Sequence, residues 1–238
     1  MNPRLNFLTL ATAAIFGLVG CDKLPTLRGK PTKEDIVLEP MKVTNFNVLY
    51  GQNCAGCHGV DGRGNGALAL ANPVFLAIAN DAALESAIAK GVPGSLMPAF
   101  ALSSGGTLTD AQVTILVKEM RSRWAKPDAL KGATPPPYAA SAAGDPTRGA
   151  AVFAASCVSC HGEAGQGGDK LASIVDGSFL ALVSNQNLRT TVIAGRPDLG
   201  HPDWRSVPGQ PLSAEQVTDV VSWLVAQRPA DPGRPYSK

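Results

Sequence analysis

The chain has 238 residues, which at about 150 residues per domain makes one or two domains. Lys and Arg number 21 against 19 Asp and Glu, and a net charge of +2 excludes the strong basic excess of a nucleic-acid binder. Hydrophobic residues at 45% and charged ones at 17% describe a folded chain, but aromatics at 5% beside 25 Gly leave core volume to be found elsewhere, and a bound apolar cofactor would supply it.

In chain order, Arg4 precedes an uncharged run from Leu5 to Gly20, too short for a comfortable membrane span and read as a signal peptide over residues 1–20. The run ends Leu18-Val19-Gly20-Cys21, which resembles a bacterial lipobox. That resemblance implies an exported protein whose Cys21 is lipidated and becomes its first mature residue. An ordinary signal peptide and an uncleaved anchor are the alternatives. Asp22 is a residue type that in some bacteria favours retention in the inner membrane, with the outer membrane the other destination. Residues 21–45 read as a tether, able to reach about 80 Å if extended.

Two clusters follow: Cys54-Ala-Gly-Cys57-His58 and Cys157-Val-Ser-Cys160-His161. C-x-x-C-H is the signature of c-type haem attachment. Two thiols at that spacing each form a thioether to one porphyrin edge, and the adjacent His binds the iron from below. A zinc site and a thioredoxin-like dithiol are the competing readings. Zinc needs four donors per closed site, whereas each cluster has three, and no βαβ pattern surrounds either.

The clusters belong to an internal repeat. Cys54 maps to Cys157 at offset 103, and after one inserted residue the offset becomes 104. Gly91 then pairs with Gly195, Pro98 with Pro202, and TLTDAQVT (107–114) with PLSAEQVT (211–218). Tyr50 and Phe153 each stand four residues before the first Cys. Both units read helical. Leu84, Ala87 and Ile88 follow a cap expected at Asp81, and Leu188, Thr191 and Val192 follow one expected at Asn185. Thr109 with Gln112, and Ser213 with Gln216, predict capping boxes. Behind them Val113, Leu116, Val117 and Met120, and Val217, Val220, Val221, Leu224 and Val225, recur at helical spacing. The fold class is therefore all-α: two tandem helical domains over 46–126 and 146–228, a Pro/Ala-rich semi-rigid linker over 127–145, and a tail over 229–238. Domains this small bury modest cores, which a covalently held haem would complete. Gly-rich stretches after each cluster read as loops wrapping the haem edge.

Over residues 46–228 the sequence resembles class I cytochromes c in tandem, with a layout similar to c4-type dihaem cytochromes and to dihaem subunits of respiratory or photosynthetic complexes. The resemblance implies an early helix with C-x-x-C-H and, some 40 residues on, a distal ligand followed by Pro. Met97-Pro98-Ala99-Phe100 looks like the family's methionine loop, making Met97 the distal ligand of haem 1 with His58. Met120 fits the apolar face of the last helix and Met41 precedes the domain. The second unit departs from the pattern: no Met follows Cys160, and the residue aligned with Met97 is His201. Haem 2 is then expected to be bis-histidine, His161 and His201; a five-coordinate iron or Lys170 are the alternatives. Thioether ligation raises the potential relative to nitrogen, so haem 2 is expected below haem 1. Arg196, Trp204 and Arg205 could hydrogen-bond propionates, although loop packing accounts for them as well.

Two six-coordinate irons leave no position for substrate. The expected function is therefore a membrane-anchored dihaem electron carrier on the periplasmic face, working with redox partners or a membrane complex, with no catalytic residues and no nucleic acid. The competing classes are a dihaem peroxidase, in which family the bis-His haem comes first and the chain is longer, an electron-accepting subunit of a periplasmic dehydrogenase, and a haem-based sensor, for which no output domain is visible.

Overall fold

Each C-x-x-C-H lies where one helix ends and a four-residue helical turn begins, and the rest of the architecture places a loop over it. The computed structural model describes residues 38–64, 66–168, 171–208 and 211–230. Cys21, the expected signal peptide, most of the tether and Lys170 lie outside them. The described chain is helical, as expected, with extended pairing limited to the bridges Ala101–Leu108 and Arg196–His201.

The first repeat runs α1 (Phe46–Asn53), α2 (Ala55–His58), α3 (Pro73–Ile78), α4 (Asp81–Lys90) and α5 (Asp110–Trp124). The second repeats the plan as α6 (Pro146–Ser156), α7 (Val158–His161), α8 (Gly177–Leu182), α9 (Asn185–Ala194) and α10 (Ala214–Ala226). Both capping boxes form: Thr109 Oγ1 accepts from Gln112 N while Thr109 N donates to the Gln112 side chain, and Ser213 and Gln216 do the same. The caps of α4 and α9 fall one residue earlier than the sequence suggests. Asn80 accepts from Ala83 N and Ser184 from Asn187 N, which leaves Asp81 in the first turn to pair with Arg121 at 2.7 Å. The last residues of the expected tether are bound in: the buried Gln112 side chain donates to Pro40 O and Val43 O.

The apolar face of α5 is buried as its spacing predicts, Met120 included, and so is that of α10 apart from the half-buried Val225. The two repeats share much of their core. Ile193, Ala194, Trp204, Leu212 and Val217 join the cluster built from α1, α3, α4 and α5, leaving Leu180, Leu188, Val221 and Leu224 as a small separate one. The linker is not a free spacer. Pro136 is buried, and the buried guanidinium of Arg189 donates to Pro137 O, Tyr138 O and Thr218 Oγ1. Burying a cation without a carboxylate is costly, and several good acceptors offset the lost water.

An arginine brace recurs from different registers. In the first repeat Arg121 of α5 donates to Leu76 O and Ala79 O, closing α3 onto α4. In the second, Arg228 beyond α10 donates to Leu180 O, Val183 O and Asn185 Oδ1, the places one offset of 104 away. The crossing of first and last helices differs between repeats. α6 meets α10 at Gly149, where a Cβ would lie 2.0 Å from Asp219 O. The equivalent place in α1 is Phe46, which stacks on Tyr50 at 5.3 Å between centroids and meets Trp124 edge-on. Below Gly149, the buried Asp219 accepts from Arg148 at 2.7 and 3.1 Å and from Asp145 N at 2.7 Å.

Two predictions follow from this crossing. Gly149→Ala overpacks it and should cost about 1–3 kcal/mol in thermal unfolding of the holoprotein, whereas Gly51→Ala, with open space around its Cβ on α1, should add up to about 1 kcal/mol. The Arg148 guanidinium holds the Asp219 carboxyl below the usual range despite opposing burial. A carboxyl lowered on folding stabilises fully above the ordinary value near 4 and loses that contribution as pH falls through the folded value. Asp219→Asn should flatten the dependence of urea unfolding on pH between about pH 2 and 5.

Candidate haem sites

The helix break ahead of each motif is the same. Cys54 and Cys157 close the preceding helix, their N–H groups bonded to Tyr50 O and Phe153 O, and also open the next turn, at φ −120° and −122°. This leaves Cys54 and Cys157 half-buried while Cys57 and Cys160, on the same turns, are exposed. None of the four is in a disulfide. Burial pushes the Cys54 thiol up to about 11, and Cys157 likewise to about 11. Among the described residues no group of three His, Cys, Asp or Glu side chains converges as a metal-ion site.

His58 and His161 end the short turns, and the loop beyond folds back under them: Gly64 N donates to His58 O and Gly167 N to His161 O, both at 2.9 Å. His58 Nδ1 donates to Leu68 O at 2.8 Å, so the proton sits on Nδ1 and Nε2 keeps its lone pair outward. No sequence signal marked this carbonyl, since any residue type supplies it. In the second repeat the matching carbonyl, Leu171 O, accepts from Gly168 N, and His161 Nδ1 is buried without a partner. Burial holds both His58 and His161 below the ordinary imidazole range, hence neutral.

The distal loops obey one constraint. α4 ends at Gly91 (φ +72°) and α9 at Gly195 (φ +69°), a left-handed backbone that other residues seldom adopt. The loop then returns so closely that a Cβ on Gly91 would stand 2.8 Å from Met97 O, and one on Gly195 2.6 Å from His201 O and Pro202 O. Beyond it, Phe100 N donates to Ile88 O and Leu108 N to Phe100 O. Trp204 N to Ile193 O and Leu212 N to Trp204 O match them. Met97 is half-buried against the core, its N–H bonded to Ser95 Oγ and its O to Val92 N. Arg196 and His201 are locked by a reciprocal bridge at 3.1 and 3.0 Å. As a result the rings of His201 and His161 face each other at 5.9 Å between centroids, tilted by 45°. His201 Nδ1 is also buried without a partner, and burial, then His161, lowers its basicity.

These features fit a covalent haem: a neutral imidazole follows each thiol pair, and in the second repeat the ring of His201 faces that imidazole. Arg196 and Arg205 are each paired to an aspartate two residues away, at 2.6 Å, although Arg205 Nη1 is a buried donor without an acceptor. A cavity of about 470 Å³ opens between Val92–Gly94 and the α8–α9 turn beside Arg228, but neither C-x-x-C-H contributes to its wall.

The chain is 30% identical over 160 residues to the Cbb3-type cytochrome c oxidase subunit FixP of Azorhizobium caulinodans, covering 63% of this chain and 49% of the relative. It is 32% identical over 139 residues to subunit CcoP of an Azospirillum species, covering 54% and 41%. It thus spans about half the length, or less, of these curated relatives. Among solved structures, a chain of the Kuenenia stuttgartiensis reducing HAO-like protein complex Kustc0457/Kustc0458 overlaps 82% of this chain and 100% of its own at 19% identity, with a TM-score of 0.41. The family described as "Cytochrome C oxidase, cbb3-type, subunit III" matches twice, over residues 42–118 and 144–224. This chain belongs to that cytochrome family and is a tandem cytochrome c with two covalently bound haem c groups.

Proposed function

We propose that this protein relays electrons to or within a respiratory membrane complex, with haem 1 held by Cys54, Cys57, His58 and Met97 and haem 2 by Cys157, Cys160, His161 and His201. The observation that carries the reading is the His161–His201 pair. Imidazole nitrogens bind metals at about 2 Å, so rings on opposite sides of one iron stand roughly 6 Å apart centre to centre. The observed 5.9 Å fits that separation.

A bound haem supplies an iron that takes up and releases single electrons. The chain's own residues do the rest. Cys54 and Cys57 would fix one ring as thioethers, and Cys157 and Cys160 the other. The Leu68 carbonyl orients His58 and raises its basicity. The loop closed on Gly91 presents Met97, whose sulfur favours ferrous iron, and the loop closed on Gly195 presents His201, which favours ferric iron. Site 2 therefore lies at lower potential than site 1. The lack of a carbonyl partner for His161 acts in the opposite direction, but the axial atom is the larger lever.

The relatives named as cbb3-type oxidase subunits support a membrane oxidase as partner. No described helix is long and apolar enough to cross a membrane. Attachment through lipidated Cys21, which lies outside the described residues, would hold the protein at the periplasmic face, since more than one acyl chain anchors stably.

Spectropotentiometric titration of the holoprotein should resolve two equal one-electron waves. His201→Met should raise the lower wave by on the order of 100 mV, a fraction of the roughly 0.8 V that axial ligands span, and leave the other in place. Reduced wild type should not bind carbon monoxide, whereas His201→Ala should bind one equivalent. Carbon monoxide binding or peroxide turnover by the wild type would contradict an electron-relay role.

A further inference from the structure

Asn72 is buried, at 3% exposure, between the repeats. Its two ends do different work. Oδ1 caps α3, accepting from Val74 N at 2.9 Å and Phe75 N at 3.3 Å. Nδ2 reaches into the other repeat, donating to Ala194 O at 2.9 Å and Gly195 O at 3.3 Å. The repeat itself shows which end is special. One offset of 104 on stands Asp176, exposed, which caps α8 by accepting from Phe179 N. Capping alone is met by an acid, and only the first repeat has an amide whose N–H groups the other repeat uses.

The acceptors lie at a decisive place. Gly195 is the residue against which the His201 loop closes, and Arg196 is bridged to His201. On the donor side, Asn72 stands four positions after Leu68, whose carbonyl orients His58. Close by, a Cβ on Gly64 would stand 2.7 Å from Asp198 Oδ2 and 3.3 Å from Arg196 Nη2. The loop beneath His58 is thus packed on the loop that carries His201.

We infer that Asn72 is a positioning residue that locks the two haem sites together, tying the segment that orients His58 to the helix end that sets His201. Two hydrogen bonds from one buried side chain make the join short and rigid. Losing them strands two buried carbonyls, a penalty that opens the loop rather than the whole fold. The inference uses the ligand reading above only to name what is joined.

Asn72→Asp on the full-length holoprotein separates the two ends of the side chain. It keeps the cap acceptor, repeating what Asp176 does, and removes both donors. Amide hydrogen exchange should show about tenfold or greater loss of protection at Arg196 and His201, with Val74 and Phe75 unchanged. Asn72→Ser, which also caps but is too short to bridge, should give the same pattern. Unchanged protection at Arg196 and His201, a loss confined to Val74 and Phe75, or an equal loss along the whole chain would each overturn the inference. Ligand-sensitive spectra of the same wild-type sample report independently whether His201 holds the second iron.

Discussion

In each repeat a helix stops at a glycine and the following loop closes against it with no room for a side chain. At Gly91 this constraint sets Met97, and at Gly195 it sets His201. The motif that holds the ring needs only a helical turn, whereas on the proposed reading the opposite face of the iron depends on a residue some 40 positions away, delivered by an irregular segment. Positive φ at the helix end, the tight return, and the hydrogen bonds from Phe100 and Trp204 back to the helix make that delivery reproducible. The same backbone plan therefore carries a methionine at one tip and a histidine at the other.

Around these loops the two repeats solve the shortage of core in different ways. The first packs aromatics at the helix crossing, Phe46, Tyr50 and Trp124. The second brings backbones together at Gly149 and buries a carboxylate against Arg148 below it. Its inner residues, Ile193, Trp204, Leu212 and Val217, join the core of the first. Two units too small to be comfortable alone thus share apolar surface. A pair of redox centres benefits from that arrangement because their separation is then set by packing rather than by a swinging linker. Arg189, holding the linker's carbonyls against the second repeat, acts to the same end.

What the sequence disclosed was carried by spacing. The C-x-x-C-H pairs, the capping boxes at Thr109 and Ser213, and the faces of α5 and α10 all follow from local periodicity, and aligning the repeat led to His201. The features it hid depend on backbone or on distant partners. Leu68 contributes a carbonyl, which no residue type marks. Arg121 and Arg228 brace equivalent carbonyls from helix positions about one turn out of register, so the offset that finds everything else misses them. Asn80 takes the cap of α4 while Asp81 pairs with Arg121, and Ser184 that of α9 while Asn185 accepts from Arg228, contacts about 40 residues away. Nothing in the sequence marked Asn72, whose acceptors lie about 120 residues on, and the linker read as a semi-rigid spacer because the arginine that binds it lies about 50 residues on.

The most direct test of the account is near-infrared magnetic circular dichroism of the fully oxidised holoprotein, which distinguishes sulfur from nitrogen at the axial positions of low-spin ferric haem. The account predicts equal amounts of one His/Met and one bis-His low-spin haem, with the bis-His signal lost in His201→Ala. A high-spin second haem, or two haems with the same ligand pair, would contradict it.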